Sequence, residues 1–303
     1  MGWTKSARHW IEWRILTAVL FFLNRLSLRA VLAFADVLGW TAFTVIRIRR
    51  KVTLANLRIA FPEKTEAERI AIARRSYCQF AKMVFEYSRF PVMTREDVLS
   101  LCTLEGKEDI DRVLQEGKGG VLVGGHFGNW ELMGAALVQM GYPVSFLVGE
   151  QHNKRIDDMM NRNRERMGAG IIHMGIAVRG VIKVLRNNGI IALLSDQDAG
   201  REGVFVDFFG RPSSVHQGPA VFALKMGSPV IFMNAVRLPE GRMRIVLKAV
   251  KSDGLNEATP ENVRKVTQAY TTLLEKAIRQ YPDHWFWMHR RWKTKPASAN
   301  PTP

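Results

Sequence analysis

An α/β fold, with helices on both faces of a sheet, is predicted for this chain by three observations. Short apolar runs bounded by glycine or polar turns recur along it, as at 120–123 and 190–194. Between them lie longer segments with helical spacing of apolar residues. Polar residues gather just after two of the runs, where sites sit in such sheets.

The elements follow in order. The spacing predicts a long amphipathic helix over 65–90, with Thr65 as N-cap, Glu68 closing a capping box and Pro91 stopping it. A helix over 110–116 turns through Gly117 to Gly120 into the first strand, 120–123. A helix over 132–137 leads to a strand over 144–148. A basic helix over 155–167 ends at Gly168. A strand over 171–174, a helix over 178–187 and a strand over 190–194 come next. Strands over 230–236 and 243–250 complete the sheet, and 260–280 is the last long helix. The Pro/Ser/Ala-rich tail, 296–303, is expected to be disordered. No internal repeat is visible.

Composition narrows the function classes. The 303 residues suffice for one large core, and 47% hydrophobic residues exclude a disordered protein. The two cysteines, Cys78 and Cys102, sit among apolar residues and read as buried thiols of a reducing compartment. No Cys/His cluster has zinc-site spacing, so no metal is expected. The net charge of +16 implies an anionic partner. Nucleic acid is the obvious candidate, but no helix-turn-helix, zinc-finger or RNP-like pattern is present.

The N-terminus points to a membrane. The stretch 15–23 is uncharged, Asn24, Arg25 and Arg29 interrupt it, and 31–46 continues with Asp36 as its one charge. Neither run reaches the roughly 20 residues needed to span a bilayer. Ala33-Phe34-Ala35 resembles a signal cleavage site, but Arg25 and Arg29 lie between it and the apolar run, which cleavable signals avoid. Uncleaved helices in the interface are therefore expected over 1–50. Trp3, Trp10, Trp13 and Trp40 suit that depth, and Arg47, Arg49, Arg50 and Lys51 suit lipid headgroups.

The most informative motif is His126-Phe127-Gly128-Asn129-Trp130-Glu131, at a strand-to-helix junction. A histidine with a carboxylate behind it is the core of a general-base site, and the flanking glycines leave backbone space for a substrate. Glu131, in the first helical turn, is the expected orienting partner. With seven histidines in the chain, about one H-x4-D/E match arises by chance. His152 with Asp157 supplies a second match, in a polar stretch that reads as an exposed loop. The competing reading of His126 is a core histidine hydrogen-bonded at a helix start. Three other stretches stand out: Asn161 to Arg166, Ser195 to Pro212, and Trp285 to Lys293. The first also reads as a solvated helix face and the second as an ordinary hairpin. The third interleaves aromatics with cations, suiting nucleic-acid stacking or a membrane interface.

Taken together, these blocks resemble the lipid A biosynthesis acyltransferases of Gram-negative bacteria, within the wider lysophospholipid acyltransferase superfamily. The resemblance runs through Asn56-Leu57, Phe61-Pro62-Glu63, the His126–Glu131 block, Arg164 with Gly168, Asp196-Gln197-Asp198, the run Phe205 to Gly210, and Trp285 to Lys293. It favours His126 over His152. Val215 departs from it, because many relatives carry threonine there. The resemblance implies a central mixed sheet flanked by helices, with an acyltransferase domain over 51–295. It implies acyl transfer from an acyl carrier protein thioester, a co-substrate with no cofactor, to a hydroxyl of a lipid A precursor. In that scheme His126 is the general base and Glu131 fixes its tautomer. Arg164, Asn129 and the backbone at Gly128 meet the oxyanion or substrate, and Asp196, Gln197 and Asp198 support the site floor. Phe205, Phe208 and Phe209 wall the acyl channel. The implied partners are an acidic acyl carrier protein, an anionic phosphorylated glycolipid and the cytoplasmic face of the inner membrane, with no nucleic acid. Two rivals remain: the same chemistry on another lipid acceptor or with acyl-CoA as donor, and a non-catalytic basic protein.

Overall fold

The computed structural model describes residues 10, 13–14, 17–18, 21, 24–149, 153–174, 177–252 and 254–296. Trp3, most of the 15–23 run, His152 and nearly all of the tail lie outside the described residues.

Seven strands form one mixed sheet: β1 Cys102–Glu105, β2 Gly120–Gly124, β3 Val144–Val148, β4 Gly170–His173, β5 Ile190–Leu194, β8 Val230–Arg237 and β9 Met243–Ala249. Their order is β1-β9-β8-β2-β5-β3-β4. The pairs from β8 to β4 are parallel, β8 with β9 is antiparallel, and β1 with β9 is parallel. The central strands β2 and β5 are buried but for Leu194 at the end of β5, as parallel strands covered on both faces must be. Two cores result. One lies under α6 Trp130–Gln139, α7 Lys154–Arg166 and the C-terminal end of α3 Glu66–Tyr87, and is built on Leu122, Leu132, Leu137 and Ile231. The other lies under α8 Ala177–Arg186, α9 Gly218–Met226 and α10 Pro260–Gln280, and is built on Val123, Ile191, Phe232 and Ile278. A separate hairpin, β6 Val204–Phe208 with β7 Arg211–Val215, packs against α10.

The predicted capping box holds: Thr65 Oγ accepts from the Glu68 N–H, and Glu68 accepts from the Thr65 N–H at 2.7 Å. The helix over 65–90 ends earlier, at Tyr87. Phe90–Val92 forms a single 3-10 turn, because Phe90 precedes Pro91 and α geometry is disfavoured there. The helix α1 Leu28–Thr44 falls in the stretch expected to be helical, while four elements carried no prediction of their own: α2 Arg50–Ala60, α4 Arg95–Leu101, β1 and α9. Here α5 is Lys107–Gln115. β1 is a four-residue edge strand with one buried side chain, too short for a period. α9 starts with Gly218-Pro219, which reads as punctuation. A proline in the first turn and Gly227 in the left-handed region just past the end are nonetheless helix signals.

α1 packs along α3, burying Val31, Ala35, Gly39 and Phe43 at four-residue spacing. Its other side leaves Phe34, Val37, Leu38 and Trp40 exposed, and the corner after it exposes Val45, Ile46 and Ile48. Among the described residues no helix is long and apolar enough to cross a membrane.

Candidate active site

β2 and β5 are neighbours, with Gly124 opposite Leu194. Continuing that register two residues beyond both strand ends sets His126 opposite Asp196. The imidazole Nδ1 donates to Asp196 Oδ1 at 2.7 Å, and the His126 backbone N–H donates to Oδ2 at 2.7 Å. The Trp285 indole N–H donates to the same Oδ2 at 2.7 Å. Asp196 is therefore a buried carboxylate with three donors. Burial alone would raise its pKa, but the His126 charge and these hydrogen bonds hold it below the usual carboxylate range. For His126, burial works to lower the pKa. The charge and hydrogen bond of Asp196, with the charge of Glu131, outweigh it and hold the imidazole above its ordinary value. With Nδ1 committed, Nε2 carries the neutral ring's lone pair, and Gln197 Nε2 lies 3.5 Å from it. The rings of Trp130, at 5.0 Å, and Phe286, at 6.2 Å, flank the imidazole.

The carboxylate behind the imidazole is thus Asp196, not the expected Glu131. Glu131 turns to Arg164, which grips it with two hydrogen bonds of 3.0 and 2.6 Å and donates a third, 3.1 Å, to Asn161. Glu131 lies in the first turn of α6 and Arg164 in the last turn of α7, so the pair clamps two helix ends together. Those bonds occupy three of the five guanidinium N–H donors, and the pair borders the cavity described below.

Gly128 and Asn129 cannot act as expected. The Gly128 N–H donates to the His284 carbonyl at 2.8 Å. Its φ of +61° is left-handed, and a Cβ there would strike the Ala235 carbonyl oxygen. A Cβ on Gly125 would meet the Asp196 carboxylate at 2.9 Å. The glycines make room for the protein's own backbone and side chains, not for a substrate. Asn129 is buried and caps α6 by accepting from the Leu132 N–H at 2.9 Å, while its amide donates to Glu86 at 2.6 Å. Glu86 is held in turn by Arg237, with two bonds of 2.6 Å.

The Phe205–Phe209 run is the hairpin of the alternative reading. Phe208 and Phe209 are buried, Phe208 between Trp285 and Trp292, Phe209 against Phe61. None of the three phenylalanines lines the large cavity, and Val215 is buried in the same hairpin. Phe208→Ala is expected to cost about 3–5 kcal/mol of stability, read by denaturant unfolding, without changing which ligands the cavity takes. Asp198 is a tether, accepting from the Thr294 N–H and hydroxyl and from the Gly200 N–H. The Trp285–Lys293 block does not form a surface patch, because Trp285, Trp287, Met288 and Arg291 are buried. It threads beneath the site, with Trp285 bridged to Phe127 and the Phe286 N–H donating to the His126 carbonyl.

A cavity of about 690 Å³ opens beside His126, the size of a small-molecule or lipid-chain site. His126, Gln197, Glu131 and Arg164 border it, and its walls are mainly apolar side chains from α3, α6, α7, β3, β5 and β8. Five methionines, Met83, Met159, Met160, Met174 and Met233, contribute to it. They give walls that adapt to the shape of an apolar guest. Nothing in sequence spacing announced this lining, since its residues are scattered from Phe80 to Phe286 over helices, strands and loops.

The family model described as bacterial lipid A biosynthesis acyltransferase matches residues 2–294. The chain is 22% identical over 295 residues to a lipid A biosynthesis palmitoleoyltransferase of Escherichia coli (strain K12), covering 97% of this chain and 94% of that protein. It is 26% identical to a lipid A biosynthesis lauroyltransferase of the same organism, covering 95% of this chain and 93% of that one. It is also 26% identical to a phosphatidylinositol mannoside acyltransferase of Mycobacterium tuberculosis (strain CDC 1551 / Oshkosh), covering 72% of this chain and 68% of that protein.

Proposed function

The chain belongs to the bacterial lipid A biosynthesis acyltransferase family, and from that premise we propose that it transfers a fatty acyl chain from an acyl carrier protein thioester to a hydroxyl of a lipid A precursor. The observation that carries the reading is the His126–Asp196 pair at the polar rim of an apolar cavity.

An alcohol is a poor nucleophile until a base takes its proton during attack. Nε2 of neutral His126 is that base. Asp196 fixes the Nδ1–H tautomer and stabilises the imidazolium that forms. The acceptor oxygen bonds to the thioester carbon, and the electron pair of the C=O moves onto oxygen. Arg164, held by Glu131, supplies a cation and its remaining N–H donors to that oxyanion. As the carbonyl reforms, the C–S bond breaks and the imidazolium returns its proton to the departing sulfur. The thiol leaves readily, so no covalent enzyme intermediate is needed. The fatty chain lies in the apolar cavity.

The charge of +16 suits an acidic carrier protein, a phosphorylated acceptor and an anionic membrane. Transfer is expected to slow as salt screens that attraction. The exposed apolar side of α1, with Ile46, Ile48 and the cations Arg47 and Lys51, supports interfacial docking at the cytoplasmic face of the inner membrane. A second acceptor class has one observation behind it, the likeness to a phosphatidylinositol mannoside acyltransferase. The test is mass spectrometry of the purified protein with a lipid A precursor and a panel of acyl carrier protein thioesters. A gain of one acyl chain establishes donor and acceptor together. No gain from folded protein moves the assignment to another glycolipid or to acyl-CoA, tried next on a total lipid extract.

A further inference from the structure

Resting on that reading, we infer that the contact between Gly134 and the Phe146 ring sets the longest acyl chain the enzyme accepts. Glu131, Gly134 and Leu137 recur at three-residue spacing on α6 and all border the cavity. Val144 and Phe146 on β3, with Ala192 and Leu194 on β5, alternate onto the sheet face beneath α6. Phe146 pairs with Ala192 and Val144 with Ile190. The imidazole stands level with position 196, so the Phe146 level lies about 13 Å down the strands and the Val144 level about 20 Å, at 3.3 Å per residue.

The cavity closes at that depth. Leu137, Val144 and Ala192 line it, yet each is at most 4% exposed. Phe146 is half-buried and stands level with Ala192, where this end begins. Its ring occupies the space that a side chain at position 134 would fill, since a Cβ on Gly134 would strike the Phe146 Cζ. The methionine walls adapt to a guest, whereas an aromatic ring against a helix backbone is a stiff stop. A methyl at 134 must push the ring into the remaining depth. Removing the ring opens that depth to the guest.

The experiment competes saturated acyl carrier protein thioesters, octanoyl to stearoyl, in one reaction and reads the products by mass spectrometry. Gly134→Ala is expected to shift the profile to shorter chains and Phe146→Ala to longer ones. The double variant should lie between them, because the methyl then has room. Each methylene that no longer fits should cost roughly tenfold or more in discrimination. Phe208→Ala, outside the cavity, should keep the original profile. Folded Gly134→Ala and Phe146→Ala proteins with the original profile would overturn the inference. If the unaltered protein transfers no chain from any thioester, the functional reading has failed instead. Displacement of a fluorescent fatty acid by the same chain series then decides the stop by itself: a length dependence that moves with the two substitutions supports it, and an unmoved one sinks it.

Discussion

Asp196→Asn is expected to remove most of the acyltransfer activity, nearly as much as His126→Ala, while leaving the protein folded. His126→Ala deletes the base, worth about 10²–10⁴-fold in rate. The asparagine acts by forcing a tautomer. In the native protein Oδ2 receives two donors, the His126 backbone N–H and the Trp285 indole, and Oδ1 receives the ring. An amide has one oxygen. If that oxygen faces the two fixed donors, its NH2 faces Nδ1, and the ring must carry its proton on Nε2. The lone pair then points at the protein interior, and the cavity side holds no base. If the amide flips, two donors are left facing an NH2, so the first arrangement wins.

The pH profile separates Asp196 from Glu131. The base acts when neutral, so activity falls as pH drops through the His126 pKa. That pKa stands above the ordinary histidine value near 6.5, because Asp196 and Glu131 together outweigh burial. Asp196→Asn removes the larger raising influence, so its residual activity should persist to lower pH than in the native enzyme. Glu131→Gln removes only the smaller, more distant charge, so its acid limb should move less. Its main effect should be a loss of rate, since Arg164 loses the carboxylate that aims it. An acid limb that moves more for Glu131→Gln than for Asp196→Asn would return Glu131 to the partner's role.

That exchange of roles marks where the sequence stops being legible. Alternating strands and helices were readable because each declares its period locally. His126 was readable because its strand, glycines and helix are contiguous. Asp196 was visible as a polar residue after a strand, but not as the imidazole's partner. Seventy residues separate the two, and only the β2–β5 pairing sets them level. Glu131 was the nearer carboxylate in sequence, but from the first turn of α6 it faces α7, whose own periodicity gave no hint that Arg164 points back. The resemblance makes the phenylalanines of the hairpin a channel wall, while their local pattern reads equally as a hairpin. Whether they face a guest or the C-terminal tryptophans depends on contacts such as Phe208 with Trp292, which no local pattern encodes.

The buried Glu86–Arg237 pair makes the same point for stability. Arg237→Met is expected to destabilise the fold by about 3–5 kcal/mol. The two side chains are only 4% and 7% exposed, so the substitution strands a carboxylate in the core. Its remaining partner is the Asn129 amide, at 2.6 Å. Gln79 also loses its partner, and the Arg237 backbone stays tied to His284. Glu86→Leu with Arg237→Met removes both charges and should recover most of the loss. Denaturant unfolding reads all three proteins, and a double variant no more stable than Arg237→Met would mean that Arg237 acts by packing rather than by neutralising Glu86. Activity should weaken alongside stability, because Asn129 joins this pair to the first turn of α6, and that turn carries Glu131 and, through it, Arg164.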